Sequence, residues 1–189
     1  VGGVGMFDGD YLAVGATATQ TTKPSGGYAY YKDGKLTLNN YSYEGEGQVY
    51  GSDNGYRFYA TVYANQDLTV ELVGTNTLAS TAEISDVINV SHPVSNPDLT
   101  IDGNGKLIGT SHHRGLYASG NLTINGGTIA VTSGSQSIMS GWGNVIINGG
   151  DIIAETTSGY CIRADYDLTI NGGNVTAISA DGYALAFDS

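Results

Sequence analysis

Short runs of alternating apolar and polar residues recur along the chain at a fixed interval. Leu122 and Ile124 flank Thr123, which is the spacing of a strand buried on one face. The same run stands at Leu99-Thr100-Ile101, Val145-Ile146-Ile147 and Leu168-Thr169-Ile170, each 23 residues from the next. Weaker copies begin at Leu68 and Leu36. A second column reads Ile129/Val131, Ile152/Ala154 and Val175/Ala177. A third reads Leu116/Ala118, Ile138/Ser140, Ile162/Ala164 and Leu185/Phe187. Each pair is expected to point inward, with the residue between it pointing out.

Three strands and three turns per period predict one coil of a parallel β-helix, in which no single unit buries its own apolar face. The expected fold is all-β: a right-handed parallel β-helix (solenoid) of about 23 residues per rung with a Tyr-rich N-terminal cap. About six rungs at roughly 4.8 Å would give a rod on the order of 30 Å long. We expect a single domain over residues 1–189, with a cap over 1–35 and rungs over 36–189. Ten of the fourteen tyrosines precede residue 64, which is why the cap, rather than a sugar-binding surface, is the preferred reading of that segment. Two stretches break the period, Glu44 to Tyr59 and Ser91 to Pro97, and both are expected to bulge from the rod as loops. The repeated Asn-Gly-Gly turns place Asn125, Asn148 and Asn171 in one column, with Asp102 earlier. Stacked amides of this kind predict a hydrogen-bonded ladder along the rod.

Composition narrows the partners. Net charge is −11 and lysine plus arginine total seven with no basic patch, so nucleic acid is not expected. No run is apolar and long enough to cross a bilayer. One cysteine excludes an internal disulfide framework, and Cys161 reads as a small filler. The pattern stops at Phe187-Asp188-Ser189 after a third strand, which predicts either further chain or end-to-end self-association.

The order Gly34-Lys35-Leu36-Thr37-Leu38-Asn39-Asn40, Val62-Tyr63-Ala64-Asn65-Gln66-Asp67-Leu68-Thr69, Gly74-Thr75-Asn76-Thr77-Leu78 and then the Leu-Thr-Ile-Asn-Gly-Gly rungs resembles secreted right-handed β-helix repeat proteins of gut Firmicutes. That resemblance covers nearly the whole chain and implies an adhesin-like protein, secreted or at the cell surface. More distantly, the chain is similar to a β-helical carbohydrate-binding family that binds plant-wall polysaccharide with calcium. The paired aspartates of that family are approached here only by Asp181-Gly182, so its calcium ligands do not carry over.

Candidate chemistry follows from residues that do not fit the inward columns. Trp142, the one tryptophan, and Tyr166 lie in equivalent turns of neighbouring rungs, and two exposed rings there would suit the flat apolar face of a sugar. Asp165 and Asp188 share a column with Asp167 nearby, and carboxylates that close favour a bridging hard cation, for which calcium fits. Tyr160 and Tyr183 stand above Gln136 and Arg114 and read as scaffold. His112 and His113 show no partner acid, and adjacent strand residues chelate one metal poorly. The chain has no Asn-Thr-Asp, Gly-His-Gly or Arg-Ile-Lys pattern, and Arg163 with Asp165 reads as a solvated pair rather than a lyase site. The expected function is non-catalytic binding of a polysaccharide or host glycan. A polysaccharide lyase or hydrolase, or a structural spacer, is the alternative.

Overall fold

The computed structural model describes residues 1–187, and among them every regular element is a β-strand. The irregular first part contains β1 (Asp10–Ala13), β2 (Tyr28–Lys32), β3 (Lys35–Asn39), β4 (Ser42–Gly45), β5 (Gln48–Asp53) and β6 (Tyr56–Ala64). Triplets follow. They are β7 (Leu68–Val73), β8 (Thr75–Ser80) and β9 (Ser85–Val90), then β10 (Leu99–Gly103), β11 (Lys106–Thr110) and β12 (Arg114–Ala118). Next come β13 (Leu122–Ile124), β14 (Thr128–Ser133) and β15 (Gln136–Ser140), and β16 (Val145–Ile147), β17 (Asp151–Thr156) and β18 (Gly159–Ala164). The last are β19 (Leu168–Ile170), β20 (Asn174–Ser179) and β21 (Gly182–Phe187).

Each member of a triplet joins a different sheet. Sheet A runs β1-β2-β3-β7-β10-β13-β16-β19, sheet B runs β4 through β20, and sheet C runs β5-β6 through β21. Pairing from one triplet to the next is parallel, as a solenoid requires, and Leu99, Leu122, Val145 and Leu168 sit side by side. The inward pairs form the core: Leu99, Ile101, Leu122, Ile124, Ile129, Leu116, Ile138, Val145, Ile147 and Ile162 are all buried. At the last triplet the same columns open, with Ile170 45% and Leu185 46% exposed, because no further strand covers them among the described residues.

The asparagine ladder forms as expected. Asn148 Nδ2 donates to Asn125 Oδ1 at 2.9 Å, and Asn171 Nδ2 to Asn148 Oδ1 at 2.8 Å. Asp102 does not extend it; its carboxylate accepts the Gly103 N–H at 2.7 Å.

Three expectations change. Glu44 to Tyr59 is not a loop: β5 and β6 form an antiparallel hairpin that starts sheet C, with a register shift between Val49 and Gly51. Its Tyr-rich alternation is that of a strand, and Tyr50 stacks on Tyr63 at 5.5 Å. Leu36 pairs with Val70 rather than Leu68, a slip of two residues that keeps every side chain on its own face. Thr37 therefore stands beside Glu71 rather than Thr69, and its hydroxyl donates to the Glu71 carboxylate at 3.0 Å. His113 does have an acid beside it, Asp86, with Nδ1 3.4 Å from Oδ1. Ser91 to Pro97 carries no strand, as expected of a loop. Within residues 1–35, β1 and β2 add antiparallel strands to the edge of sheet A, and Tyr11 stacks on Tyr30 at 4.3 Å.

Candidate functional site: the corner between sheets C and A

Every passage from sheet C to sheet A is a short connection, and these connections together form the corner between the two sheets. The crossings are the turn at residues 65–67, the loop at 91–98, and the turns at 119–121, 141–144 and 165–167. A chain of hydrogen bonds pins them together. Asp67 Oδ1 accepts the Asp98 N–H at 2.9 Å, and Asp98 Oδ1 accepts that of Asn121 at 2.6 Å. Asn121 Oδ1 then accepts the Asn144 N–H, and Asn144 Oδ1 the Asp167 N–H, both at 3.0 Å. Each side chain thus satisfies an orphan donor in the next turn, a duty that short Asp and Asn side chains perform well. This second ladder is spelled out in the sequence at positions 98, 121, 144 and 167, all 23 apart. It is hidden there because Asp and Asn are mixed in it and because a side chain's reach to a neighbouring backbone is not a pattern feature.

The ladder holds the two aromatic turns. Trp142 N–H donates to the Ser119 carbonyl at 2.8 Å, and Tyr166 N–H to the Gly143 carbonyl at 3.1 Å. Turns this close demand glycine: a Cβ at Gly143 would lie 2.8 Å from the Gly120 carbonyl carbon. With backbones fixed, the rings point outward, Trp142 62% and Tyr166 54% exposed. They occupy consecutive turns but not the same column. Counted by the 23-residue register, Trp142 corresponds to Asp165 and Tyr166 to Gly143, so the two rings are staggered by one position. Val94, in the loop three crossings before Tyr166, is also exposed.

The acidic residues expected to hold calcium flank Tyr166. Asp165 Oδ1 lies 3.9 Å from Arg163 Nη2, and Asp167 is exposed at the end of the ladder. Asp188 lies outside the described residues. Among the described residues no three His, Cys, Asp or Glu side chains converge as a metal site, and two carboxylates fall short of the six to eight oxygens that calcium takes.

A buried ion pair lies elsewhere, on neighbouring strands of sheet C. Asp86 is fully buried and paired to Arg114, whose Nε lies 3.1 Å from Oδ1 and whose Nη2 lies 2.9 Å from Oδ2. Asn89 Nδ2 at 2.7 Å and the Tyr50 hydroxyl at 2.9 Å also donate to Asp86. The Arg114 guanidinium lies 3.7 Å from the centre of the Tyr117 ring. Burial alone would raise the Asp86 pKa. The charge of Arg114, the adjacent His113 ring and the hydrogen bonds from Arg114 and Asn89 outweigh it and hold the carboxyl below the usual carboxylate range. A carboxylate saturated in this way is a bracket for the β5–β6 hairpin and has no lone pair to spare for acid–base work. The pair spans 28 residues rather than 23, so the repeat gives no hint of it. Tyr160 and Tyr183 stack at 5.7 Å on the same sheet, continuing the column from Arg114 through Gln136.

No curated protein and no solved structure matches the chain. A family described as "carbohydrate-binding domain-containing protein" matches residues 37–187, from β3 to the last strand, and well over half of the 189 residues. The chain belongs to that carbohydrate-binding domain-containing family.

Proposed function

We propose that this protein binds carbohydrate without catalysis, at the corner between sheets C and A, with Trp142 and Tyr166 as the platform for sugar rings. The observation that carries this reading is the pair of exposed aromatic rings on consecutive turns, held by the Asp98–Asn121–Asn144–Asp167 ladder. A rigid aromatic surface loses little side-chain entropy on binding and offers the apolar face of a pyranose a partner. Family membership supports the ligand class. The scaffold is read as a right-handed parallel β-helix, and the protein as an adhesin-like molecule that is secreted or at the cell surface. The saturated state of Asp86 weighs against a buried catalytic carboxylate there and so against the lyase or hydrolase alternative.

The test is a glycan array of neutral and acidic plant and host oligosaccharides, probed with the wild type and with Trp142→Ala. Retention of a defined glycan set by the wild type and its loss from the variant are expected. Equal retention by both proteins would move the site away from the corner, and no retention by the wild type would overturn carbohydrate binding. Repeating the array with calcium and with a chelator tests whether Asp165, Asp167 and Asp188 add a cation to the same site.

A further inference from the structure

The first crossing of the same corner borders a preformed cleft. It has a volume of about 430 Å3 and lies between the N-terminal segment and the first two strands of the corner. Its apolar wall comes from Val4, Met6, Leu36, Val62 and Leu68, and Phe7 stands at its edge, 79% exposed. Tyr31, Tyr63, Gln48, Asn65 and Gln66 bring polar side chains to its lining; of these Tyr63 donates its hydroxyl to the Ser91 carbonyl at 3.1 Å and Gln48 Nε2 donates to the Val49 carbonyl at 2.9 Å. No lysine or arginine lines it; the Val1 α-amino group, whose pKa burial lowers to about 6, donates to the Val4 carbonyl at 2.9 Å, and Asp8, the one acid, spends Oδ1 on the Asp33 N–H.

We propose that this cleft is a second saccharide subsite, which takes the neutral end of a glycan chain. The proposal rests on the carbohydrate reading above and adds a site to it. Binding clefts of a few hundred Å3 with apolar walls and a few convergent polar groups suit small ligands. Here the polar set selects the class. Gln66 Nε2 donates to the Tyr31 hydroxyl at 2.8 Å, which orients both groups. That leaves the Tyr31 O–H proton as a donor and Gln66 Oε1 as an acceptor, side by side. Hydroxyl groups of a sugar both donate and accept, so they match such a pair, whereas an anionic ligand would find no basic side chain. Phe7 supplies the apolar ring that a pyranose face needs. Gln66 belongs to the crossing at residues 65–67, three crossings before the one that carries Trp142. At the strand spacing the two sites lie about 15 Å apart along the rod, too far for a disaccharide to bridge.

The experiment is calorimetric titration of the intact protein with cellobiose, xylobiose, mannobiose and lactose. At least one is expected to bind saturably at one site per chain. Phe7→Ala and Gln66→Ala, both exposed and outside the core, should each weaken that binding about tenfold with an unchanged melting temperature. Trp142→Ala should leave it intact. No saturable binding of any of the four, or binding that Trp142→Ala removes and Phe7→Ala spares, would overturn the subsite. If the array finds glycans that depend on Trp142 while the disaccharides give no heat, the cleft proposal fails and the corner reading stands. If neither method detects binding, both fail.

Discussion

Replacing Arg114 by Met takes the cation away from a carboxylate that has no water around it. Asp86 is fully buried, and Arg114 reaches it through both Nε and Nη2. Methionine keeps an apolar side chain over Tyr117, so the loss is mainly electrostatic. Removing one partner of a buried ion pair costs about 3–5 kcal/mol, because the remaining charge is left uncompensated. For a chain of this size that corresponds to a fall in Tm of about 6–20 °C. The dependence on pH carries the sharper signature. In the wild type the folded pKa of Asp86 is depressed. Its contribution is therefore present above the unfolded value of about 3.9 and is lost as pH falls through the folded value. In Arg114→Met burial is opposed only by the His113 ring and the remaining hydrogen bonds, such as that from Asn89, so the folded pKa rises and the depression is lost. The variant's deficit should be largest at neutral pH and shrink as pH drops toward 4. Urea titrations from pH 4 to 8 on the wild type, Arg114→Met and Arg114→Met/Asp86→Asn measure this. The double variant should recover more than half of the loss at pH 7. A deficit independent of pH, with no recovery in the double variant, would show that Arg114 acts by packing and that the ion pair is not what it contributes.

The core assignment predicts that Ile147→Ala costs roughly 2–5 kcal/mol in a denaturant titration, while Thr123→Ala, facing out, costs under about 0.5 kcal/mol. Ile170→Ala should cost much less than Ile147→Ala, since the same column is half open at the last triplet. Asn148→Ala removes a bond on each side of the exposed ladder and should lower stability by about 1–2 kcal/mol, read by thermal melting. Gly143→Ala should cost about 1–3 kcal/mol and weaken glycan retention as well, because the clash with Gly120 displaces the turn that carries Trp142.

The regular triplets were legible because apolar residues at period 2 return every 23 residues, so a register error would have turned Leu122 and Ile124 outward. The first third was not, because its pairings run 34 residues from Leu36 to Val70 and 31 from Leu68 to Leu99, and its strands β1, β2 and β5 are antiparallel additions. Trp142 and Tyr166 were visible as large rings in turns where the inward columns have no place for them. The cleft was not, since Phe7, Tyr31, Gln48 and Gln66 come from four segments with no shared period. Asp86 was missed for a related reason: its partner Arg114 lies in the next triplet, but Tyr50 comes from a hairpin that interrupts the repeat.

The central claim is tested most directly by the fluorescence of Trp142, the chain's one tryptophan, during titration with an oligosaccharide that the array retains. A ring 62% exposed that becomes covered by sugar should shift its emission to shorter wavelength in a saturable way. Tyr166→Ala should weaken the titration midpoint by about tenfold, the loss expected from one aromatic contact. A glycan that binds with full affinity while the emission of Trp142 stays unchanged would contradict the account.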